Sequence, residues 1–297
     1  MKHYKIFFVY FIFLLCSLNA RIPEKIIKIT FEQSMQSLQT PYKKLSKTDQ
    51  NKWKIFSRLY SQHTIDRMIV CDVPLIPLRI HQIWIGSEIP EELIPNCDRW
   101  ELMHPLWEYK LWTDADLPEF HLKNQEAFDN ALNYGEKADI WRYEILERYG
   151  GVYVDMDMYC VKPLDPLHYY YDFYAGISNV NAIELNNALI ACSPHHPLII
   201  ECVNNIKKSK PGHPFQETIA RTGPIYFTRI FMRYINKKSH NRVIALPVSF
   251  FYPLPNSFHG PQSDYILQHW IKPETFTVHF WECRWMKPGG IVHRKRV

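Results

Sequence analysis

The sequence predicts an α/β domain with a mixed, mostly parallel central sheet flanked by helices. Predicted strands and helices alternate along the chain without an internal repeat, and this order favours parallel strands joined by helices. The chain has 297 residues, of which 46% are hydrophobic and 22% charged, so it can form a substantial core and is not disordered. Its 21 prolines against 10 glycines argue against a glycine-rich dinucleotide-binding fold.

The first twenty residues have the features of an export signal. A short basic segment precedes an apolar run over 6–15, and Ala20 suits the position before a cleavage site. The run is short for a hydrocarbon core of about 30 Å, although the whole segment is long enough to remain as an anchor. The sequence therefore predicts a signal peptide or signal anchor over 1–20, and an exported protein that is membrane-associated or lumenal or periplasmic. A buried N-terminal strand is the alternative.

The remaining elements divide into two parts, a helical segment over 21–77 and the α/β domain over 78–297. Apolar side chains recur near one helical face over 47–61, which predicts a stem or a packing helix. The α/β domain is predicted to contain strands over 78–85, 109–112 and 152–156, and a helix over 127–149 that breaks near Tyr134 and ends at Gly150.

Charge and cysteine content exclude two other classes of protein. A net charge of +5 is mild for this length, so no nucleic-acid partner is expected. The 7 cysteines include no Cys-x-x-Cys pair, which argues against a zinc knuckle. Six of them lie beyond the first twenty residues and are enough for three disulfide bonds, but their spacing establishes no pairing.

The most informative pattern is an acidic pair, Asp155 and Asp157, at the end of an apolar strand. Because side chains alternate along a strand, both carboxylates are expected on one side of it. Ligands of open α/β sheets bind outside the carboxyl ends of the strands, and paired carboxylates suit Mn²⁺ or Mg²⁺. Such a cation would also bridge two phosphates and offset charge on a departing phosphate group.

Two nearby patterns leave alternatives open. A second Asp-x-Asp copy, Asp114-Ala115-Asp116, precedes Leu117-Pro118 and is predicted to be a loop or a helix cap. Asp139 and Arg142 are i and i+3 neighbours on the predicted helix. They form either a surface ion pair, or a pair over the strand end in which Arg142 binds phosphate or sugar oxygens and Asp139 accepts from hydroxyls.

Several segments occur together and in order over about 78–285. The long ones are RIHQIWIG at 79–86, WEYKLWTD at 107–114, KADIWRYEIL at 137–146 and YGGVYVDMD at 149–157, and the short ones are NNA at 186–188, HHP at 195–197, TGP at 222–224, FYP at 251–253 and HFW at 279–281. This set resembles glycosyltransferase family 32, the DXD-containing sugar transferases. That family includes yeast outer-chain and sphingolipid mannosyltransferases and α-1,4-galactosyltransferases, and it is more distantly similar to the catalytic domains of large clostridial toxins.

The resemblance implies a GT-A fold, a UDP- or GDP-hexose donor, Mn²⁺ or Mg²⁺ as the metal, and retention of the anomeric configuration. It implies that Asp157 binds the metal, that Asp155 lies near the metal and contacts ribose or donor-sugar hydroxyls, and that His279 completes the metal shell. The alternative for His279 is a hydrogen-bonded core histidine. The sequence places Ala138, a small residue, where many members have serine.

The resemblance also implies the groups that hold the donor. Asp139 and Arg142 would hold the donor sugar, Trp84 would stack on the base, and Asn187 would contact the donor sugar or the acceptor. Core packing is the alternative for Trp84. Thr222-Gly223-Pro224 is either a turn or a backbone wall on the acceptor side. Glu282 and Asp264 are expected to be exposed charges.

These residues predict a metal-dependent retaining glycosyltransferase that moves a hexose to a hydroxyl of a glycan, a glycolipid or a protein, with a membrane as a further possible partner. One competing hypothesis is a membrane-tethered sugar-binding protein of the same fold without turnover. The other is a phosphatase of the haloacid dehalogenase type, which also places Asp-x-Asp after an apolar strand. Tyr159 stands where that class has threonine or valine, which argues against it.

Overall fold

The structure is a computed structural model that describes residues 29–207, 216–237 and 242–284. Its strands are β1 (Arg79–Ile83), β2 (Glu108–Trp112), β3 (Gly151–Val154), β4 (Met158–Cys160), β5 (Phe173–Ile177), β6 (Leu185–Cys192), β7 (Val243–Leu246) and β8 (Thr277–His279). Six strands form one sheet in the order β2-β1-β3-β6-β5-β7, and β4 pairs with β8. Only β6 runs antiparallel to its neighbours in the six-stranded sheet, so the predicted mixed, mostly parallel sheet is confirmed.

The helices lie between the strands, as the alternating pattern predicted. They are α1 (Phe31–Ser34), α2 (Lys47–Gln62), α3 (Ile94–Met103), α4 (Leu117–Phe120), α5 (Gln125–Asp129), α6 (Tyr134–Tyr149), α7 (Asp165–Tyr170), α8 (Pro197–Asn204), α9 (Gln216–Arg221), α10 (Pro224–Ile235), α11 (Val248–Phe251) and α12 (Asp264–Trp270). Short 3₁₀ turns occur at Tyr42–Lys44, Ile65–Arg67, Glu91–Leu93 and Asp114–Asp116.

The predicted break in the long helix is confirmed and lies between α5 and α6. The side chain of Asn133 accepts a hydrogen bond from the backbone N–H of Glu136 at 2.8 Å and so caps α6. Gly150 ends α6 with φ of 60°, a left-handed value that favours glycine. α6 then leads directly into β3, so the end of one element sets the start of the next.

Both faces of the sheet are covered, because helices pack against it on either side. All four residues of β3 and all eight residues of β6 are buried. α6, α8 and α10 pack together, and α10 also packs on β6. Continuous burial of this kind is expected for central strands of a largely parallel sheet.

The described part of the N-terminal segment packs against the edge of the sheet at β7. Phe56 of α2 lies 5.9 Å from Phe231 between ring centroids, and the His63 ring nitrogen Nδ1 is 2.8 Å from the carbonyl oxygen of Val243. Residues of α1 and α2 thus belong to the same core as the sheet. The boundary between 77 and 78 stays a prediction, and the predicted signal or anchor over 1–20 lies outside the described residues.

Two further observations concern the described residues. None of their helices combines the length and the apolar character needed to cross a bilayer. No disulfide bond joins the six cysteines that lie within the described ranges, and four of these cysteines, Cys97, Cys160, Cys192 and Cys202, are buried. The described fold is therefore held together without a covalent cross-link between cysteines.

Candidate functional site

The acidic pair lies in a turn that follows β3, and we call residues 155–157 the acidic turn. β3 ends at Val154, so the prediction of a strand continuing to Met156 is wrong. The backbone N–H of Met158 donates to the carbonyl oxygen of Asp155 at 3.1 Å, which closes the turn before β4 begins. The two carboxylates therefore converge because the chain turns, and not because side chains alternate on a strand.

The pairing of β4 with β8 brings His279 to the acidic turn. Met158 is the register partner of His279, and the His279 Nε2 atom lies 3.1 Å from the Asp157 Oδ1 atom. One ligand atom each from Asp155, Asp157 and His279 lies within 4.8 Å of the others. We call these three residues the acidic cluster. The metal set that the resemblance implied is thus brought together from two segments more than 120 residues apart.

The pKa values of the three groups in the acidic cluster are shifted in different directions. Burial raises the pKa of Asp155, and the Arg142 charge opposes this rise. Burial also acts to raise the pKa of Asp157, but the charge and hydrogen bond of His279 outweigh it and hold that pKa below its usual value. For His279, burial acts to lower the pKa, and Asp157 more than compensates, so the His279 pKa is raised.

The donor set fits a divalent cation. Carboxylate oxygens suit Mn²⁺ and Mg²⁺, and a neutral imidazole is the commonest nitrogen ligand of metals in proteins. The Nδ1 atom of His279 is buried and makes no hydrogen bond within the described residues. Because a buried polar atom without a partner is costly, the cluster has unmet polar capacity. The described residues thus provide a candidate site for a divalent ion.

Helix α6 supplies the second half of the site, and Arg142 joins it to the first. The Arg142 Nη2 atom lies 3.2 Å from the Oδ1 atom of Asp139 and 3.2 Å from the Oδ1 atom of Asp155. Its guanidinium also stacks over the Tyr153 ring, 4.4 Å from the centroid. Only 5% of the Arg142 side chain and 10% of the Asp139 side chain are exposed, so the alternative of a surface ion pair is wrong.

The carboxylate of Asp139 accepts hydrogen bonds from side chains of two other segments. Its Oδ1 atom accepts from Asn187 Nδ2 at 2.7 Å, and its Oδ2 atom accepts from Thr222 Oγ1 at 2.9 Å. Burial raises the pKa of Asp139 to about 6, although the Arg142 charge opposes it. Asn187 reaches this position because β6 runs antiparallel to β3, so that the first residues of β6 lie where β3 ends. We call Asp139, Arg142, Asn187 and Thr222 the helix network.

Trp84 lies at the same edge of the sheet, one residue after β1. Its indole Nε1 donates to the carbonyl oxygen of Glu88 at 3.0 Å, and the ring packs against a small cluster that includes Met156 of the acidic turn. The side chain is half-buried. Trp84 thus lies beside the acidic turn, and part of its side chain is accessible to solvent. It is not fully packed in the core.

The second Asp-x-Asp copy is a cap, as predicted. Residues Asp114–Asp116 form a 3₁₀ turn in which the Asp116 Oδ2 atom accepts from the backbone N–H of Thr113 at 2.8 Å. The other Asp116 oxygen pairs with Lys110. The Oδ2 atom of Asp114 accepts from the backbone N–H of Gly86 at 2.7 Å. Each carboxylate therefore already has donors from the protein.

Sequence reasoning missed three contacts of the site. The hydroxyl of Tyr153 donates to Asp155 Oδ1 at 2.7 Å, and its position two residues before Asp155 was an available signal. The backbone N–H of Glu282 donates to Asp157 Oδ2 at 2.9 Å. The prediction that Glu282 is an exposed charge is wrong, because 6% of its side chain is exposed and its carboxylate pairs with Arg284. Asp264 is exposed as predicted.

The third missed contact is that of the Thr222 hydroxyl with Asp139, since Thr222 was assigned only to a turn or a backbone wall. No signal in the sequence identified these last two contacts. The Glu282 contact is made by a backbone group, and the Thr222 contact joins residues 83 positions apart. The turn expected at Thr222-Gly223-Pro224 does occur, since it connects α9 with α10.

Comparison with known proteins shows which proteins this domain resembles. Residues 90–174 match the family model described as "Glycosyltransferase sugar-binding region containing DXD motif". This range contains α6, β3 and the acidic turn. Over these residues the chain resembles the DXD-containing glycosyltransferases, as the motifs of the sequence predicted. The six-stranded sheet with the acidic turn at its carboxyl edge is the arrangement expected of the GT-A fold.

The chain is similar to several named glycosyltransferases. It is 31% identical to inositol phosphoceramide mannosyltransferase 1 of Schizosaccharomyces pombe over 192 residues, which cover 62% of this chain and 59% of that protein. It is 32% identical over 167 residues to a mannosyl phosphorylinositol ceramide synthase of Saccharomyces cerevisiae, covering 54% and 43% of the two chains. It is 25% identical over 194 residues to the lactosylceramide 4-alpha-galactosyltransferase of Rattus norvegicus, covering 60% and 49%.

The matched region spans about half the length of these curated relatives. Among solved structures, the PaToxG glycosyltransferase overlaps with 63% of this chain and 79% of its own chain, with 22% identity and a TM-score of 0.47.

Proposed function

We propose that this protein is a metal-dependent retaining glycosyltransferase that transfers a hexose from a nucleoside diphosphate sugar to a hydroxyl group. The observation that carries the proposal is the position of Arg142. Its guanidinium contacts both Asp155 of the acidic cluster and Asp139 of the helix network. A site that binds a charged diphosphate and a neutral sugar side by side needs such adjoining halves, one able to bind a cation and the other rich in hydrogen-bonding groups.

In this proposal the acidic cluster holds Mn²⁺ or Mg²⁺ through Asp155, Asp157 and His279. When bound, the ion neutralises charge on the diphosphate leaving group. The chain positions the ligand groups beforehand. Tyr153 donates to Asp155 Oδ1, and the N–H of Glu282 donates to Asp157 Oδ2. These two donors restrict rotation of the carboxylates and leave other lone pairs of each for a ligand.

Arg142 has donor capacity left after its contacts with the protein. A guanidinium has five N–H groups. The described contacts use one with Ala138, one with Asn187, and two with Asp139 and Asp155. The remaining N–H lies on Nη1 and is available to an oxygen of the donor. Arg142 thereby stabilises negative charge next to the cation site while its own charge stays compensated by two carboxylates.

The proposed transfer replaces one bond at the anomeric carbon. The bond between that carbon and the diphosphate oxygen breaks, and the acceptor hydroxyl oxygen forms the new bond on the same face of the sugar. The acceptor proton passes to an oxygen of the leaving phosphate. Asp139, the carboxylate next to Arg142, is already engaged by three protein donors, so we assign it to hold sugar hydroxyls and not to attack carbon. We assign Trp84 to stack on the base of the nucleotide.

The names of the relatives guide the choice of donor and acceptor. Two of them are named for mannose transfer to an inositol phosphoceramide, and one for galactose transfer to lactosylceramide. We therefore propose GDP-mannose or UDP-galactose as the donor class. A glycolipid hydroxyl is favoured over a glycan or a protein as the acceptor. Export through the leader at 1–20, as a signal or an anchor, would place the enzyme in a lumen or periplasm.

Donor profiling tests the proposal. The full chain is incubated with Mn²⁺ and a panel of UDP- and GDP-hexoses, and diphosphate release and sugar transfer to lipid and glycan acceptors are followed by mass spectrometry. We expect turnover of one donor class and its loss when EDTA is added. Binding of a donor by calorimetry without any turnover would favour a sugar-binding protein, and neither binding nor turnover would contradict the assignment of the site.

A further inference from the structure

Helix α9 lies against the first half of α6 along a seam of polar contacts. The three pairs are Asn133 Nδ2 to Thr218 Oγ1 at 3.0 Å, Arg221 Nη2 to Glu136 Oε1 at 2.8 Å, and Thr222 Oγ1 to Asp139 Oδ2 at 2.9 Å. Helical spacing places the α6 members on one side of that helix, at intervals of three residues. The last pair is the one that reaches the candidate site.

The hydroxyl of Thr222 is committed to Asp139. Thr222 is 1% exposed, and its single hydroxyl proton has two acceptors within reach, Asp139 Oδ2 at 2.9 Å and the carbonyl oxygen of Thr218 at 3.4 Å. The shorter contact, to a carboxylate, is the stronger hydrogen bond. The Tyr143 hydroxyl donates to the Thr222 carbonyl oxygen at 2.7 Å and holds the backbone of this residue in place.

Gly223 allows this close approach. A Cβ atom at position 223 would lie 3.0 Å from the Cα atom of Ile219 and 3.5 Å from Asp139 Oδ2. A Cβ atom there would be crowded by the backbone of Ile219 in α9 and would lie in van der Waals contact with the carboxylate. The connection between α9 and α10 therefore brings backbone and a hydroxyl to Asp139 with no bulk between them.

The count of hydrogen bonds leaves one acceptor position of Asp139 open. A carboxylate has about four lone-pair positions. Oδ1 accepts from Asn187 Nδ2 and from Arg142 Nη2, whereas Oδ2 accepts from Thr222 Oγ1. The position that these described contacts leave open is on Oδ2, the oxygen that Thr222 holds.

We propose that Thr222 is a positioning residue of the donor site, whose hydroxyl orients the Asp139 carboxylate so that the second Oδ2 lone pair receives a hydroxyl of the donor sugar. This inference rests on the proposed function. Without the Thr222 hydroxyl, Oδ2 loses its described partner and the carboxylate can turn about its last torsion. The donor sugar then binds a less ordered Asp139 carboxylate. The acidic cluster and Trp84, which are proposed to hold the nucleotide part, are unchanged.

The test compares the sugar nucleotide with the bare nucleotide. Calorimetry measures the dissociation constants of GDP-mannose and GDP, or of UDP-galactose and UDP, each with Mn²⁺, for the wild-type protein, Thr222→Val and Thr222→Ser. We expect Thr222→Val to raise the dissociation constant of the sugar nucleotide about tenfold, which is the effect of losing one hydrogen bond to a charged group. The dissociation constant of the bare nucleotide should change by less than about twofold. Thr222→Ser keeps the hydroxyl and should restore wild-type binding of both.

Thr218→Val is the matched control, because it removes a buried threonine hydroxyl from the same seam without touching Asp139. It should alter both dissociation constants less than about twofold. If Thr222→Val fails to fold, as judged by circular dichroism, Thr222→Ala replaces it. Equal weakening of both ligands by Thr222→Val, or an unchanged affinity for the sugar nucleotide, would overturn the positioning role. If the wild-type protein binds neither ligand, the proposed function itself has failed.

Discussion

The two Asp-x-Asp copies of this chain differ in what their carboxylates contact. In Asp114–Asp116 the carboxylates accept from the backbone N–H groups of Gly86 and Thr113 and from Lys110, and both aspartates are partly exposed or exposed. In Asp155–Asp157 the carboxylates lie near each other and near His279, and Arg142 compensates the charge from one side. The same pattern therefore makes a structural cap in one region and an acidic cluster with unmet polar capacity in the other.

The difference comes from the elements on either side of each copy. The cap copy follows β2 at the edge of the sheet and continues into α4, so Asp116 binds groups of its own segment and Asp114 binds the backbone next to the neighbouring strand β1. The other copy follows β3 in the interior of the sheet, where β6 and the β4–β8 pair bring distant groups to it. Position within the sheet, and not the three-residue pattern, decides whether a cation site can form.

The largest expected effect is a difference in kcat/KM between matched substitutions in the two Asp-x-Asp copies. Asp157→Asn removes one charge from the acidic cluster, and we expect it to lower kcat/KM roughly 1,000-fold, because metal-assisted charge stabilisation amounts to several kcal/mol. Asp116→Asn, the matched change in the cap, should leave kcat/KM within about twofold. Initial rates of sugar transfer measure both. Similar losses in the two variants would remove the distinction between the copies.

The next effect tests the link between the acidic cluster and the helix network. Arg142→Lys keeps a positive charge but loses the planar group that reaches Asp139, Asp155 and Asn187 together. We expect kcat/KM to fall about 100-fold, or close to 3 kcal/mol. Arg79→Lys alters an exposed ion pair with Glu108 at the other end of β1 and serves as the control. If Arg142→Lys kept full activity, a positive charge alone would be enough at this position, and the link made by the planar guanidinium would be contradicted.

The pH dependence tests the helix network, because burial raises the pKa of Asp139 to about 6. As pH falls through about 6, Asp139 becomes protonated and donor affinity should decrease. Stability should respond with the opposite sign. The folded-state pKa exceeds the usual value, so the contribution of Asp139 to stability is present at low pH and is lost as pH rises through about 6.

Two measurements on wild-type protein and Asp139→Asn check the pH prediction. The donor dissociation constant is followed between about pH 5 and about pH 8, and the free energy of unfolding between about pH 4 and about pH 7, which spans the ordinary and the raised pKa of Asp139. The wild-type protein should show both trends, and the variant should lose them. A donor affinity that is independent of pH in this window would contradict an ionised Asp139 in the binding step.

The smallest effect concerns the cap copy. In Asp116, burial acts to raise the pKa, but hydrogen bonds from Lys110 and Thr113 outweigh it and lower the pKa. Asp116→Ala removes this cap, so the free energy of unfolding should fall by about 1 kcal/mol, as measured by urea denaturation. Glu119→Ala, on the exposed surface of α4, is the control and should change stability by less than about 0.5 kcal/mol. Equal losses of stability in the two variants would argue against a capping role for Asp116.

Much of the fold could be predicted from local patterns. The apolar strand before Asp155, the break before α6 and the glycine at its end all depend on neighbouring residues, which sequence reasoning can use. The end of β3 was misplaced, because an apolar Met156 continues the pattern of the strand although the chain already turns. Burial of Met156 in a separate small cluster explains why an apolar residue lies in this turn.

The candidate site was predictable in its residue types and less so in its contacts. Whether Asp139 and Arg142 form a surface pair depends on the burial of α6, which no spacing determines. The role of His279 depends on the pairing of β4 with β8 over more than 100 residues. The contacts of Thr222 and of the Glu282 N–H require the tertiary structure, since one joins distant segments and the other involves no side chain of Glu282.

Manganese titration tests the central distinction most directly. Electron paramagnetic resonance or calorimetry measures Mn²⁺ binding to the wild-type protein, Asp157→Asn and Asp116→Asn, with and without the nucleoside diphosphate. We predict one Mn²⁺ site that is lost in Asp157→Asn and retained in Asp116→Asn. Binding that survives in Asp157→Asn, or that disappears in Asp116→Asn, would contradict the assignment of the cation to the turn after β3.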